Sequence, residues 1–324
     1  MAIPRVSIVI PAHNAAHTLR ELIEACLAQD YPSDRIEIIV VDDGSVDDTA
    51  KIARDFPVNY IYQEKRGPAS ARNNGWRCAK GDLVCFTDAD CVPYRDWVSM
   101  LVRCCKEDSV GAVAGSYAVD SSKYPLDRFV HFEIKYRHSM MPVYINSFGT
   151  YNVLVKRSVL EELNGFDPAY SHASGEDSDL SYRMIKKGYR IYFEKEALVG
   201  HGNILRLGKY AMVQFRHGYW RMRIYRVNSS MITKDDYGYW KDFAEVFLVA
   251  ALIVSLLFTG HGTALVSSGL VMALFIIQLP LALKISFKER DFRYAAFSIV
   301  TFIRAFIRFA GGVIGFIRFW IIGK

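Results

Sequence analysis

Short apolar runs alternate with amphipathic segments over the first ninety residues of the chain. Residues 6–10 and 36–41 are dominated by Val and Ile and have the length of buried strands. Between them, apolar residues recur at helical spacing and predict a helix over 18–29. The same alternation predicts further strands at 58–62 and 82–87, with helices in between. Such an order is typical of a mostly parallel sheet flanked by helices.

Polar clusters follow three of these predicted strands, at residues 11–14, 42–45 and 87–90. Ligands of parallel α/β sheets bind beyond the carboxyl ends of the strands, so the clusters predict one site at one sheet edge. No Gly-x-Gly-x-x-Gly pattern follows the first strand, and a dinucleotide-binding Rossmann site is therefore not supported.

The last third of the chain is apolar, and between residues 246 and 285 only His261 and Lys284 are ionisable. Forty residues suffice for two spans, predicted at 243–260 and 263–284. The turn between them carries no Lys or Arg, whereas basic residues follow the second span. By the positive-inside tendency, we expect the N-terminal domain to lie in the cytoplasm. The chain is then a multi-pass protein of the cell membrane. A buried core hairpin is the alternative.

A third apolar segment, 292–322, carries an arginine stripe on one helical face. The stripe consists of Arg293, Arg304, Arg308 and Arg318. Arginines facing lipid are costly, so this helix either lies in the interface or spans with its arginines facing protein. The stripe predicts contacts with a lipid phosphate through Arg304 and Arg308, or with bulk anionic lipid.

The formal net charge of the chain is +6, and the excess of positive charge is local. Residues 205–230 are basic and contain no acid. Such a stretch could bind nucleic acid or an anionic membrane, and the apolar run that follows favours the membrane. Arg216 in this stretch is a further candidate for binding a lipid phosphate. We therefore predict a catalytic domain over 1–204, a basic interface segment over 205–242 and a membrane segment over 243–324.

Two carboxylates, Asp88 and Asp90, follow the strand 82–87. Oxygen ligands suit a hard divalent cation, and such a cation neutralises a diphosphate leaving group. Asp42 and Asp43, which close the strand 36–41, could accept hydrogen bonds from a base or a ribose. A solvated loop and a simple turn are the alternatives at these two places.

Four segments resemble the family 2 glycosyltransferases in their order and spacing. They are 6–14 (VSIVIPAHN), 41–45 (VDDGS), 66–73 (RGPASARN) and 86–90 (FTDAD). Two later segments, 165–167 (GFD) and 175–180 (GEDSDL), extend the resemblance, which covers about residues 4 to 205. It implies a GT-A fold, a nucleotide-sugar donor, Mg²⁺ or Mn²⁺ as cofactor and inversion at the anomeric carbon.

The resemblance also implies residue roles. The nucleotide-sugar contacts fall on Pro11, Asn14, Asp42, Asp43, Arg72 and Asp88. The metal contacts fall on Asp88, Asp90 and His201, although a lone histidine is more often structural. Asp177, beside Glu176, resembles the general base that a sugar hydroxyl needs at neutral pH. A helix start favoured by the dipole is the alternative for both acids.

The processive synthases of this family carry a QxxRW motif, which residues 214–220 (QFRHGYW) do not reproduce. We therefore expect one sugar to be added per encounter. The hypothesis is transfer from a nucleotide-sugar, with UDP favoured by the resemblance, to a lipid-linked saccharide in envelope polysaccharide or glycan assembly. A polyprenyl-phosphate sugar synthase and an inactive membrane-tethered nucleotide-binding scaffold are the alternatives. Membrane lipids are expected partners, and nucleic acid is not.

Overall fold

The computed structural model of this chain describes residues 3–118, 124–201, 207–230, 240–258 and 260–323. The chain divides into two compact units. The first consists of Met1–Ser122 and Ile134–Asn203, and the second of Lys123–Glu133 and Ile204–Lys324. Helical residues 125–133 therefore belong with the C-terminal helices, which the sequence does not indicate.

The first unit is built on one sheet with helices on both faces. Its strands are β1 Val6–Ala12, β2 Ile36–Asp43, β3 Asn59–Gln63, β4 Leu83–Phe86, β5 Cys91–Pro93, β6 Val110–Tyr117, β7 Tyr144–Ile145, β8 Val153–Lys156 and β9 Arg190–His201. The first seven helices are α1 Leu19–Leu27, α2 Thr49–Arg54, α3 Pro68–Cys78, α4 Trp97–Cys104, α5 Pro125–His138, α6 Arg157–Glu162 and α7 Glu176–Lys186.

The strands follow the order β3-β2-β1-β4-β8-β6-β9-β5, and β7 pairs with β9. β1 to β4 are mutually parallel, which confirms the interpretation of the first ninety residues. Beyond β4 the pairing is of both kinds, because β8 runs antiparallel to both β4 and β6, whereas β6 and β9 are parallel. The sheet is mixed, since a strand from a later part of the chain inserts beside β4.

Both faces of the sheet are covered, and successive residues of one strand therefore enter different cores. Ile8 and Val40 lie in a core with Leu22 of α1 and Trp97 of α4. Val9 and Ile39 lie in a second core with Trp76 of α3, Leu160 of α6 and Leu180 of α7. This explains why β1 and β2 read as continuous apolar runs. Two buried faces leave the strand ends as the place for polar chemistry.

The second unit is helical. Its remaining helices are α8 Leu207–Val227, α9 Trp240–Ser255, α10 His261–Ile276, α11 Leu279–Glu289 and α12 Phe297–Phe316. Glycines bring α8 and α12 into backbone contact. A Cβ at Gly311 would lie 2.1 Å from the carbonyl oxygen of Phe215, and one at Gly218 would lie 2.1 Å from that of Arg308. Small residues at an interface permit this approach, which is frequent between helices in membranes.

Two helical segments are long and apolar enough to cross a membrane among the residues described. They are His261–Glu289, with a mean hydropathy of 2.1, and Phe292–Ile321, with 1.7. The first predicted span, 243–260, is not one of them. The structure describes α9 from Trp240, directly after residues that lie outside the description, to Ser255, so this span stays a prediction.

Candidate active site

The polar clusters meet at the carboxyl ends of β1, β2 and β4 because these strands are parallel neighbours. Ala12 is in register with Asp42, and Val9 is in register with Phe86, which ends β4. Asp88 and Asp90 follow Phe86 directly, and a short turn there leads into β5. The prediction of one site at this sheet edge is therefore consistent with the topology.

Asp42 closes β2 with its side chain almost fully buried. Its Oδ1 accepts from the backbone N–H of Ser45 at 2.8 Å, and its Oδ2 accepts from the hydroxyl of Tyr60 at 2.7 Å. Burial and the hydrogen bond to Asp42 raise the pKa of Tyr60 to about 12. The hydroxyl therefore stays protonated and donates. Each carboxylate oxygen keeps a second lone pair, and contact with a base remains a prediction for Asp42.

Asp43 holds a loop instead of facing solvent. Its Oδ1 accepts from Gln63 Nε2 and from the backbone N–H of Arg66, both at 2.7 Å, and its Oδ2 accepts from Gly67 N at 2.9 Å. Gly67 has φ +91°, and a Cβ there would lie 2.6 Å from the carbonyl oxygen of Ser171. Asp43 thus holds three donors from the end of β3 and the loop after it, and its contact with a nucleotide-sugar stays a prediction.

Pro11 and Asn14 shape the neighbouring loop after β1. Pro11 is in register with Val41, and Asn14 adopts a left-handed conformation with φ +51°. The backbone N–H of Asn14 donates to Ser45 Oγ at 2.8 Å, while its Oδ1 accepts from Val46 N at 2.9 Å. The loops after β1 and β2 thus hold each other, and their contact with a nucleotide-sugar stays a prediction.

Arg72 lies between two acids at the centre of the site. Its side chain is 1% exposed. Nη2 donates to Asp88 Oδ1 at 2.7 Å, and Nη1 donates to Glu176 Oε1 at 2.7 Å. The contact of Arg72 with a nucleotide-sugar, which the resemblance implies, stays a prediction. A guanidinium this deeply buried requires acidic partners, and it has two.

Glu176 and Asp177 begin α7 but have different surroundings. Both oxygens of the buried Glu176 are occupied, one by Arg72 and one by the backbone N–H of Ser174 at 2.8 Å. Asp177 is partly exposed, and its Oδ1 accepts from Ser178 N at 2.8 Å. Burial and the charge of Glu176 raise the pKa of Asp177 to about 7. Of the two acids, Asp177 has the access and the proton affinity that a base needs.

Two residues that the sequence did not single out hold the segment 163–166, which precedes α7. Asn73 Oδ1 accepts from Phe166 N at 2.9 Å, and its Nδ2 donates to Phe166 O at 2.7 Å. Arg183 donates to the carbonyl oxygens of Leu163 and Gly165 at 2.8 and 2.7 Å. The signals were present, because Asn73 adjoins Arg72 in a motif and Arg183 follows Asp179 by one helical turn.

Residues 7–163 match the family model described as glycosyl transferase family 2. This chain therefore contains a domain of glycosyl transferase family 2. The probable glycosyltransferase YdaM of Bacillus subtilis (strain 168) is 33% identical over 213 residues, which are 60% of this chain and 50% of YdaM. The glycosyltransferase AglE of Haloferax volcanii is 28% identical over 240 residues, or 70% of this chain and 76% of AglE. The matched region spans half the length of YdaM.

A solved structure resembles this chain over nearly its whole length. It is the mannosyltransferase PcManGT from Pyrobaculum calidifontis in complex with GDP-Man and Mn²⁺. The TM-score is 0.63 at 22% identity, and the likeness covers 97% of this chain and 87% of that chain. The expectation of a GT-A fold is thereby confirmed.

The residues after β4 suit the divalent cation that is expected in this family 2 domain. The side chain of Asp88 is 35% exposed and pairs with Arg72 through Oδ1, and Asp90 is partly exposed. The described part of the chain contains no group of three or more potential metal ligands. Two carboxylates nevertheless fit Mg²⁺ or Mn²⁺, since Mg²⁺ sites combine one or two carboxylates with substrate phosphates and water.

His201 ends β9, and its backbone pairs with Cys91, the residue after Asp90. Its side chain lies outside the described part of the structure, so its metal role stays a prediction. Asp88 and Asp90 are thus the candidate metal ligands that the structure places together.

The arginines expected to bind a lipid phosphate are paired with protein groups inside the second unit. Arg304, 2% exposed, donates through Nη1 to Glu133 Oε2 at 2.7 Å. Arg308 donates to Gln214 Oε1 at 2.7 Å and to Asp242 Oδ1 at 3.0 Å. A phosphate would have to compete with these protein partners, and the phosphate role of Arg304 and Arg308 stays a prediction. Arg216 is half-buried on α8, and its role stays a prediction.

Proposed function

We propose that this chain is a glycosyltransferase that moves one sugar per encounter, with inversion, from a nucleotide-sugar to a hydroxyl of a lipid-linked saccharide. The observation that carries the proposal is the arrangement around Arg72. This residue joins Asp88, at the expected diphosphate end, to the acidic start of α7, which presents Asp177 as a base. In this proposal, the residue that holds the donor and the residue that activates the acceptor belong to one cluster of charged side chains around Arg72.

Asp177 determines the kind of acceptor that this site suits. In the proposed step, the proton of the acceptor hydroxyl passes to Asp177, and the freed oxygen attacks the anomeric carbon. The bond between that carbon and the diphosphate oxygen breaks, and the nucleoside diphosphate leaves with the electron pair. A phosphate acceptor is already ionised and needs no base, so the raised pKa of Asp177 favours a sugar acceptor over a polyprenyl phosphate.

The donor is a nucleotide-sugar in this proposal, with UDP favoured by the sequence resemblance. PcManGT holds GDP-Man together with Mn²⁺, so GDP-sugars belong in any test. Asp88 and Asp90 would hold the divalent cation, which supplies charge neutralisation for the leaving diphosphate. Asp42, in its hydrogen bonds with Tyr60 and Ser45, would orient the nucleoside end.

We propose that the C-terminal unit lies in a membrane. Only 28% of each candidate span is buried in protein, and the exposed side chains include Leu265, Phe287, Ile299 and Ile321. Such apolar surface is unfavourable in water and favourable in lipid. The basic residues after Ile285 support a catalytic domain on the cytoplasmic side, by the positive-inside tendency.

The test is transfer by the purified full-length protein with Mn²⁺, using a panel of UDP-, GDP- and dTDP-sugars. Each donor is offered with a lipid-linked saccharide, with a polyprenyl phosphate and without acceptor, and released nucleotide is measured. We expect release to depend on the saccharide acceptor and to disappear in Asp177→Asn. Transfer to the polyprenyl phosphate alone would overturn the acceptor assignment. No transfer with any donor would overturn the enzymatic proposal.

A further inference from the structure

One cation is shared by two acids that the proposed function assigns to different tasks. Arg72 donates to Asp88 and to Glu176 at 2.7 Å each. The exposed fraction of the side chain is 1% for Arg72, 2% for Glu176 and 35% for Asp88. Glu176 is therefore buried with Arg72, whereas Asp88 reaches solvent and can exchange this partner for another cation.

We propose that Arg72 is a positioning residue that couples the donor end of the site to its base end. Arg72 is shared between Asp88 and Glu176 before a divalent cation binds, and it is committed to Glu176 once that cation takes the charge of Asp88. The inference rests on the proposed function, which assigns Asp88 to the metal-bound donor and Asp177 to the acceptor.

The consequence falls on Asp177, the neighbour of Glu176 in sequence. The charges that act on Asp177 in the structure are those of Glu176 on its own helix and of Arg72 from α3. The negative charge of Glu176 raises the pKa of Asp177, and the positive charge of Arg72 lowers it. Commitment of Arg72 to Glu176 neutralises the nearer charge, so Asp177 ionises more readily when the donor is bound. The base is thereby made ready only when there is a sugar to transfer.

Two substitutions are expected to shift cation binding in opposite directions. In Glu176→Gln, Arg72 keeps only Asp88 as a charged partner, so Mn²⁺ has to compete with an undivided ion pair and should bind several-fold more weakly. The double variant Arg72→Gln with Glu176→Gln removes the competitor without leaving one buried charge unpaired. Its Mn²⁺ affinity should rise by at least about tenfold over the wild type, the lower limit expected for one charge a few ångströms from a dication in a partly solvated site.

The experiment is an electron paramagnetic resonance titration of the full-length protein with Mn²⁺ alone, which needs neither donor nor acceptor. Arg72→Lys keeps a charge and should stay within about twofold of the wild type. A structural role would weaken Mn²⁺ binding in every variant, so opposite shifts in the two Glu176 variants support the coupling. Shifts of the same sign, no shift, or no binding to the wild type would overturn it. The proposed function fails separately, in the transfer panel, without changing this titration.

Discussion

The proton affinity of Asp177 makes the pH dependence of transfer a quantitative test of the site. Burial and Glu176 raise the pKa of this carboxyl from 3.8 to about 7. A base acts only when deprotonated, so kcat/KM should fall as pH is lowered through this pKa. We expect about a tenth of the limiting value at pH 6 and about nine tenths at pH 8.

The same shift predicts how Asp177→Asn alters stability. The folded state binds the proton of Asp177 more tightly than the unfolded chain does, so ionisation of this group costs folding free energy at high pH. The cost begins above the unfolded pKa of 3.8 and is fully present above a pH of about 7. Asparagine carries no charge, and the variant should therefore be more stable than the wild type at pH 8 and equally stable near pH 3.

The magnitude follows from the separation of the two pKa values. A difference of about three in pKa corresponds to an upper limit of about 4 kcal/mol in the free energy of unfolding. Partial exposure of Asp177 screens its charge, so we expect roughly 1 to 2 kcal/mol in the free energy of unfolding. Thermal unfolding at the two pH values measures the difference. Asp34→Asn, at an exposed acid, serves as the control and should change neither activity nor stability.

The result that would refute this reasoning is an inactive Asp177→Asn that is destabilised at pH 8. Such a variant would have lost structure, and its inactivity would say nothing about a base. An active variant with an unchanged pH profile would equally remove Asp177 from the proposed step.

Three further predictions address the metal, the helix interface and the buried ion pair. Asp90→Asn should lose transfer, as should the wild type in excess chelator, and a chelator-resistant enzyme would contradict the metal assignment. Gly311→Ala should lower the free energy of unfolding in detergent by about 1 to 3 kcal/mol, because its Cβ would meet a backbone oxygen at 2.1 Å. Gly312→Ala is the matched control, since the nearest atom lies 3.9 Å away; equal effects would refute the close packing. Arg304→Met should cost about 3 to 5 kcal/mol because it removes the buried cation that pairs with Glu133, and adding Glu133→Gln should restore most of it, both followed by thermal unfolding.

The N-terminal half of the fold was predictable because its signals are local. Runs of Val and Ile ended by turn residues gave β1 to β4 within about two residues, and parallel pairing followed from the helices between them. The insertion of β8 between β4 and β6 was not predictable in this way. That pairing joins segments about seventy residues apart, and no periodicity within either segment reports on it.

For the candidate site too, the sequence predicted where residues lie along the elements but not which residues they contact. Motif spacing placed Asp88, Asp90 and Asp177 at the right strand end and helix start. It could not say that Arg72 would be buried between two acids, because one of them, Glu176, lies 104 residues further along the chain. The hydrogen bonds of Asp43 were not predictable for the same reason, since they come from the N–H groups of a loop that follows β3.

The arginines of α12 bear on the proposed contact with an acceptor phosphate. A charge in an apolar segment left two options open, an interfacial helix or arginines that face protein. The structure favours the second, because Glu133 and Asp242 neutralise Arg304 and Arg308 from other helices of the same unit. A phosphate would have to compete with these ion pairs for Arg304 and Arg308. Substitution of Arg216, the other arginine expected to bind an acceptor phosphate, is therefore the first test of that proposal.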